Sequence, residues 1–405
     1  MDKISERSLE LHKELGGKIE TGLKKKIRNP KDLSLLYTPG VAAACTAIGN
    51  DKKLARILTI KKNTVAIVSD GSAILGLGNL GPEAALPVME GKAVIFKQLG
   101  GVDAFPLCID SHEVEDIVRF VKQIAPTFGG INLEDISAPR CFAIEQRLRE
   151  ELDISVMHDD QWGTATIVLS GLINAVKLRG LDKEEAEVVV NGAGAAGIAV
   201  TKLLLTYGFK NIVVVDTKGA IYQGRKDLLI LNENNREKYL IAGRTNRFYE
   251  CGDLSEVIDD TDIFIGVSGP NILTEDMVLG MNKDPIIFAL ANPIPEIMPD
   301  VAHKAGAFIV ATGSSEFPNQ CNNCLVFPGV FRGVLDHNIT KITEEMLILV
   351  AEAIAGIVKH PKKENILPHS LDRRVPVIIA QAIGGYSKKS ESSFCPAVIG
   401  WECVS

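Results

Sequence analysis

Residues 187–216 leave this chain little choice of fold. The apolar run EVVVN is followed at once by GAGAAG, in which Gly192, Ala193, Gly194, Ala195, Ala196 and Gly197 form a G-x-G-x-x-G fingerprint. A helical stretch, AAGIAVTKLLL, comes next, then a second apolar run, NIVVVD, that ends in Asp216. Strand, glycine turn, helix and strand in that order make a dinucleotide-binding βαβ unit. The glycines let a pyrophosphate approach the helix N-terminus, and the acid at the second strand end takes the ribose hydroxyls. Asp216 would repel a 2′-phosphate and so favours NAD, whereas Lys218 offsets that repulsion; NAD and NADP both stay open. A second glycine match, GLGNLG at 76–81, is followed by Pro82 and has no acidic strand end at the right distance. It is expected to let backbone approach a small ligand or to make a turn.

Elsewhere, apolar runs such as TVAIVSDGSA, TDIFIGVSG and PIIFALANP alternate with helical patterns such as HEVEDIVRFVKQIA. Runs apolar on both faces belong to a parallel sheet covered by helices, so the class is α/β. At 405 residues the chain is long for one domain. The expected division is an N-terminal α/β domain over 1–157, a Rossmann-type parallel-sheet NAD(P)-binding domain over 158–336, and a C-terminal helical segment with a tail over 337–405.

A net charge of −7 with interleaved signs argues against nucleic acid or an anionic membrane as a partner. The opening stretch MDKISERSLELHKEL lacks the apolar core of a signal peptide, and the longest apolar stretch is broken by Glu352. Eight cysteines scattered through a large chain read as reduced thiols of a cytoplasmic protein. Cys321 and Cys324 are spaced as CxxC but lack a second ligand pair, and are expected to pack.

HDDQWGTA, at 158–165, sets two like charges side by side. A helix start alone would account for that, but other polar clusters accompany it: YTPGVA (37–42), MEGKAVIFK (89–97), GGINLEDI (129–136), ALANPIPE (289–296) and NQCNNCLVFPG (319–329). In this order and spacing they closely resemble the malic enzymes, in particular the shorter bacterial-type form, over about residues 10–380. The resemblance implies oxidative decarboxylation of (S)-malate to pyruvate and CO2, with reduction of NAD or NADP and dependence on Mg2+ or Mn2+. It makes residues 1–157 the catalytic domain.

Position by position, Glu134, Asp135 and Asp160 match the family's three carboxylate metal ligands, with Asp160 brought in from the second domain to meet the other two. Asp159 would hold the loop beside them, and Gly163-Thr164 would start a helix near the nicotinamide. Tyr37 matches the general acid and Lys92 the general base, whose pKa must be lowered by a neighbouring cation and burial. Residues 192–197 match the cofactor loop, and Asn292 and Asn323 match amides that contact substrate or the nicotinamide. The chemistry needs these types: hydride leaves C2, CO2 leaves the resulting β-keto acid, and a hard cation on the C2 oxygen and C1 carboxylate stabilises the enolate until C3 is protonated.

The resemblance has departures. Trp162 stands where close members usually carry His, Met157 where Phe is usual, Ser314 where shorter members commonly carry Arg, and Ser72-Ala73 where longer ones place a substrate-binding arginine. All spare the acid, the base and the ligands, and bear on affinity and specificity. A related 2-hydroxy acid or amino acid dehydrogenase would not need the three-carboxylate set, and an inactive nucleotide-binding subunit would bind cofactor without turnover. Conversion of malate to lactate with the nicotinamide retained is a further alternative. The family also implies a homodimer, in which Tyr37 and Lys92 meet across the subunit interface.

Overall fold

A computed structural model describes residues 3–232 and 235–393; the C-terminal tail singled out in the sequence lies outside them. Two parallel sheets organise the chain, in agreement with the α/β reading. The first has the order β2-β1-β3-β4 and is built from β1 (Thr64–Ser69), β2 (Asp103–Cys108), β3 (Gly130–Leu133) and β4 (Ser155–His158). The second has the order β10-β9-β8-β5-β6-β7. Its strands are β5 (Glu187–Asn191), β6 (Asn211–Asp216), the short β7 (Gly219–Ala220), β8 (Ile263–Gly266), β9 (Ile286–Ala289) and β10 (Ile309–Thr312). Every pairing is parallel except that of β7 with β6.

Both sheets are doubly wound. The chain leaves β1 for β2 on one side and β3 on the other, and leaves β5 for β6 on one side and β8 on the other. Such a reversal opens a crevice beyond the carboxyl ends of the strands. Strands β1, β3 and β4 are buried along their whole length, as continuous apolar runs require.

One helix joins the two sheets. Asp159–Arg179 begins at the residue after β4 ends, and Gly180, in the left-handed region at φ 73°, closes it. Its side chains are buried on nearly every face, because it packs against helices Ala195–Tyr207 and Glu344–Ala355 as well as against the first sheet. A second tie comes from rings. Phe96, on helix Pro82–Gly100, lies 4.7 Å from Phe327 and 5.4 Å from Phe331, both on helix Phe327–Asp336.

The N-terminal arm contrasts with this core. Helices Lys3–Leu15, Pro30–Leu36 and Val41–Asn50 bury no residue, and Leu23, Leu35 and Ile57 are among its exposed apolar side chains. No helix among the described residues is long and apolar enough to cross a membrane.

The glycine turn supplies a test. A Cβ at Gly197 would sit 1.7 Å from the Gly192 carbonyl oxygen, whereas one at Gly194 would meet nothing within 4 Å. Gly197→Ala is expected to cost about 1–3 kcal/mol of stability, read as a lowered Tm. Gly194→Ala should leave Tm unchanged and weaken dinucleotide binding in a fluorescence titration. Equal melting of both variants would contradict this packing.

Candidate active site

Pairing in the first sheet sets Leu133 opposite His158. The residues that follow, Glu134-Asp135 and Asp159-Asp160, therefore emerge side by side at the carboxyl ends of β3 and β4. Asp160 thus hangs from the first sheet and is not brought across from the second, which corrects the expectation above. The reason is local: β4 runs in register up to His158 and leaves no linker before the helix. Asp135 adopts the left-handed region at φ 52°, which asparagine and aspartate tolerate better than most residues. Its N–H donates to Asp160 Oδ2 at 2.8 Å, and its carbonyl accepts from Ala73 N at 3.0 Å.

Glu134, Asp135 and Asp160 each offer an oxygen within 4.8 Å of the others. Burial and the neighbouring negative charges push the Glu134 carboxyl well above the ordinary range and Asp135 up to about 7. Burial acts on Asp160 too, but His158, with Nε2 3.1 Å away, pulls that carboxyl below its usual value. Asp135 Oδ2 is buried without a hydrogen-bond partner. Three converging hard oxygens, one of them orphaned, suit an oxygen-seeking divalent cation such as Mg2+ or Mn2+.

Lys92 projects from helix Pro82–Gly100 into the same corner. Its Nζ lies 2.5 Å from Asp159 Oδ2 and 2.6 Å from Glu134 Oε2, above the Phe327 ring at 4.2 Å. Burial alone would lower its pKa, as the sequence reading required. The two carboxylates outweigh burial and hold the ammonium above its ordinary value. Asp159 Oδ2 also accepts from Asn323 Nδ2 at 2.6 Å. The helix begins at Asp159, a turn earlier than Gly163-Thr164, and Asp159 folds back over it: a Cβ at Gly163 would meet Asp159 Oδ1 at 1.9 Å. That is the close approach which the glycine permits.

A cleft of about 890 Å³ gathers these groups. Lys92, Glu134, Asp135, Asp160, Thr164, Gly194, Ala195, Ala196, Asn292 and Asn323 all line it. Gly192, at φ 119°, and Gly197 shape the turn from behind. Gly76 of the other glycine match lines the cleft as well, and its Cα faces the Asn292 carbonyl oxygen so closely that a Cβ would stand 2.7 Å from it. Tyr37 does not line the cleft; it sits 64% exposed at the end of helix Pro30–Leu36.

Asp216 closes β6 as read, but its carboxylate is already taken. Arg225 grips it from Nη1 at 2.9 Å and Nη2 at 2.8 Å, Lys238 Nζ reaches it at 2.6 Å, and the Lys218 N–H donates at 2.9 Å. Against its burial, these donors hold it well below the ordinary carboxylate range. The acceptor expected for ribose is therefore the hub of an ion-pair cluster, and Arg225 and Lys238 carry no signature in sequence that would announce it. Cys321 and Cys324 are free, buried thiols, and burial pushes Cys324 up to about 12. Further buried acids went unread, Glu296 and Glu145 among them. Glu296 accepts from Ser268 N and Ala291 N, tying together the loops after β8 and β9, and Glu145 underlies the HDDQWGTA turn.

Comparison with known proteins places the chain among its relatives. Residues 16–114 and 111–149 match the family model described as malic enzyme, N-terminal domain, and residues 162–386 match malic enzyme, NAD binding domain. A bifunctional malic/malolactic enzyme of Bacillus subtilis is 53% identical over 94% of this chain and 92% of that protein. An NAD-dependent malic enzyme of Geobacillus stearothermophilus is 52% identical over 94% of this chain and 78% of that protein. The crystal structure of an NAD-dependent malic enzyme from Thermotoga maritima superposes with a TM-score of 0.89 at 49% identity, covering 93% of this chain and 99% of that one.

The raised carboxyls set a pH dependence. A carboxyl with a folded pKa above its unfolded value destabilises the fold once it ionises, so without metal this corner costs stability as pH rises from about 4 to about 7. Mn2+ at a fixed concentration, about 100 times its Kd at pH 8, should add about 2.7 kcal/mol there, and the rise in Tm at that same concentration should be larger at pH 8 than at pH 5, where protons compete for the carboxyls. A shift of the same size at both pH values would count against the assignment.

Proposed function

The chain belongs to the malic enzyme family, and on that premise we propose that it oxidatively decarboxylates malate to pyruvate and CO2 while reducing NAD or NADP, with Lys92 as base and Tyr37 as acid. The observation that carries the reading is the convergence of Lys92, the three-carboxylate corner and the Gly194–Ala196 turn on one cleft. A divalent cation held by Glu134, Asp135 and Asp160 would supply the electron-withdrawing charge that this chemistry needs. With Glu134 given over to it, Lys92 keeps Asp159 as its one close counter-ion. Once the ammonium has given up a proton to solvent, its Nζ, now a free amine, takes the proton of the C2 hydroxyl as hydride passes from C2 to the nicotinamide. Asn323 steadies Asp159, and so the lysine, from the far side. Loss of CO2 from C4 leaves its electron pair in an enolate, and the Tyr37 hydroxyl delivers a proton to C3.

Tyr37 is far too exposed to do this within one chain, and it stands beside Leu33, Leu35 and Leu36, which are exposed as well. We infer a homodimer in which this arm lies on the other copy and brings Tyr37 to its cleft, an arrangement closed by two-fold symmetry. The free thiols among the described residues fit a cytoplasmic protein.

The activity is tested by following reduced nicotinamide with L-malate and Mn2+, in parallel with NAD and with NADP, while pyruvate and lactate are quantified. Pyruvate matching reduced cofactor, abolished by chelator, is the expected result. Lactate without net reduced cofactor would replace it with the malolactic reaction named for the Bacillus relative. The dimer is tested by co-expressing Tyr37→Phe with Lys92→Gln, each inactive alone. If the site is shared, half the dimers are mixed and each has one intact site, so about a quarter of wild-type activity returns. No recovery would mean that each chain works alone.

A further inference from the structure

Trp162 and Glu145 have no part in the steps above, yet both are buried, at 6% and 4% exposure, directly beneath the HDDQWGTA turn. Glu145 stands on helix Arg140–Glu151. Its Oε1 accepts from the His158 N–H at 3.0 Å, and its Oε2 accepts from Gln161 Nε2 at 3.1 Å and from the Trp162 indole Nε1–H at 2.9 Å. A carboxylate only accepts, so these contacts fix the Gln161 amide with its nitrogen toward Glu145. The same amide nitrogen lies 3.0 Å from His158 Nδ1. On the other side of the ring, Nε2 faces Asp160 Oδ2 at 3.1 Å.

We propose that Glu145 is a positioning residue for the cation corner, gathering the His158, Gln161 and Trp162 N–H groups so that the first helical turn holds Asp160 in place. Trp162 completes the clamp. A ring N–H is what position 162 must supply, and the indole supplies it from within the apolar core. The inference rests on the reading of Glu134, Asp135 and Asp160 as metal ligands. Glu145 touches neither substrate nor ligand; it acts through His158, as outer partners of metal ligands do.

The test measures Mn2+ affinity of the full-length protein without substrate, by electron paramagnetic resonance of free Mn2+, with NAD affinity and metal-free Tm as controls. Glu145→Gln puts an amide N–H among groups that already donate, and should weaken Mn2+ binding about tenfold or more while NAD binding is unchanged. Trp162→Phe keeps the ring and removes the donor; it should weaken Mn2+ binding several-fold, and Trp162→His should recover most of the loss. Wild-type Mn2+ affinity in a folded Glu145→Gln protein would overturn the proposal. Should that variant fail to fold, unchanged Mn2+ affinity in Trp162→Phe would overturn it instead. A wild-type protein that binds no Mn2+ would mark failure of the metal reading itself, and the proposal with it.

Discussion

Four carboxylates crowd one corner of this molecule because two short parallel strands end in register. Once Leu133 pairs with His158, Glu134-Asp135 and Asp159-Asp160 have nowhere else to go. Isolated like charges at such separations, taken from water, are strongly unfavourable. The fold answers with one buried ammonium, Lys92, touching two of them, and with His158 beside a third. The rest of the site follows from keeping those partners still. Phe327 lies under Lys92, Asn323 braces Asp159, and Gly163 gives Asp159 room.

The parts legible in sequence are those whose physics is local. The Gly192–Gly197 turn with its flanking strands is written in contiguous residues, because backbone approach demands glycine where a Cβ would strike a carbonyl. The α/β class likewise shows in strands apolar on both faces. The metal corner was readable through a resemblance, whereas its construction was not. Whether Asp160 belongs to one sheet or the other depends on where β4 stops, and adjacent polar residues do not announce a strand end.

What sequence concealed lies in long-range charge pairing. Asp216 reads as a free ribose acceptor until Arg225 and Lys238 fold over it. Lys92 reads as a lysine whose pKa burial depresses, until two acids some forty residues or more along the chain reverse the sign. Glu145 is one of three acids on helix Arg140–Glu151, and only the three donors aimed at it distinguish it from the others. In each case a residue's character is set by partners that no local pattern specifies.

The junction of β4 with its helix also fixes how the halves can move. The rod from Asp159 to Arg179 has 21 residues, which makes it about 30 Å long. At its far end Arg179 is anchored to Asp262 of the second half at 2.8 Å. Its near end is continuous with the first sheet. A tilt of about 5° between the halves would therefore displace the Arg179 end by roughly 2.6 Å, for a rod of that length, and the first turn by almost nothing. The carboxylate corner sits at the fulcrum of the lever, where a swing of one half against the other disturbs its oxygens least.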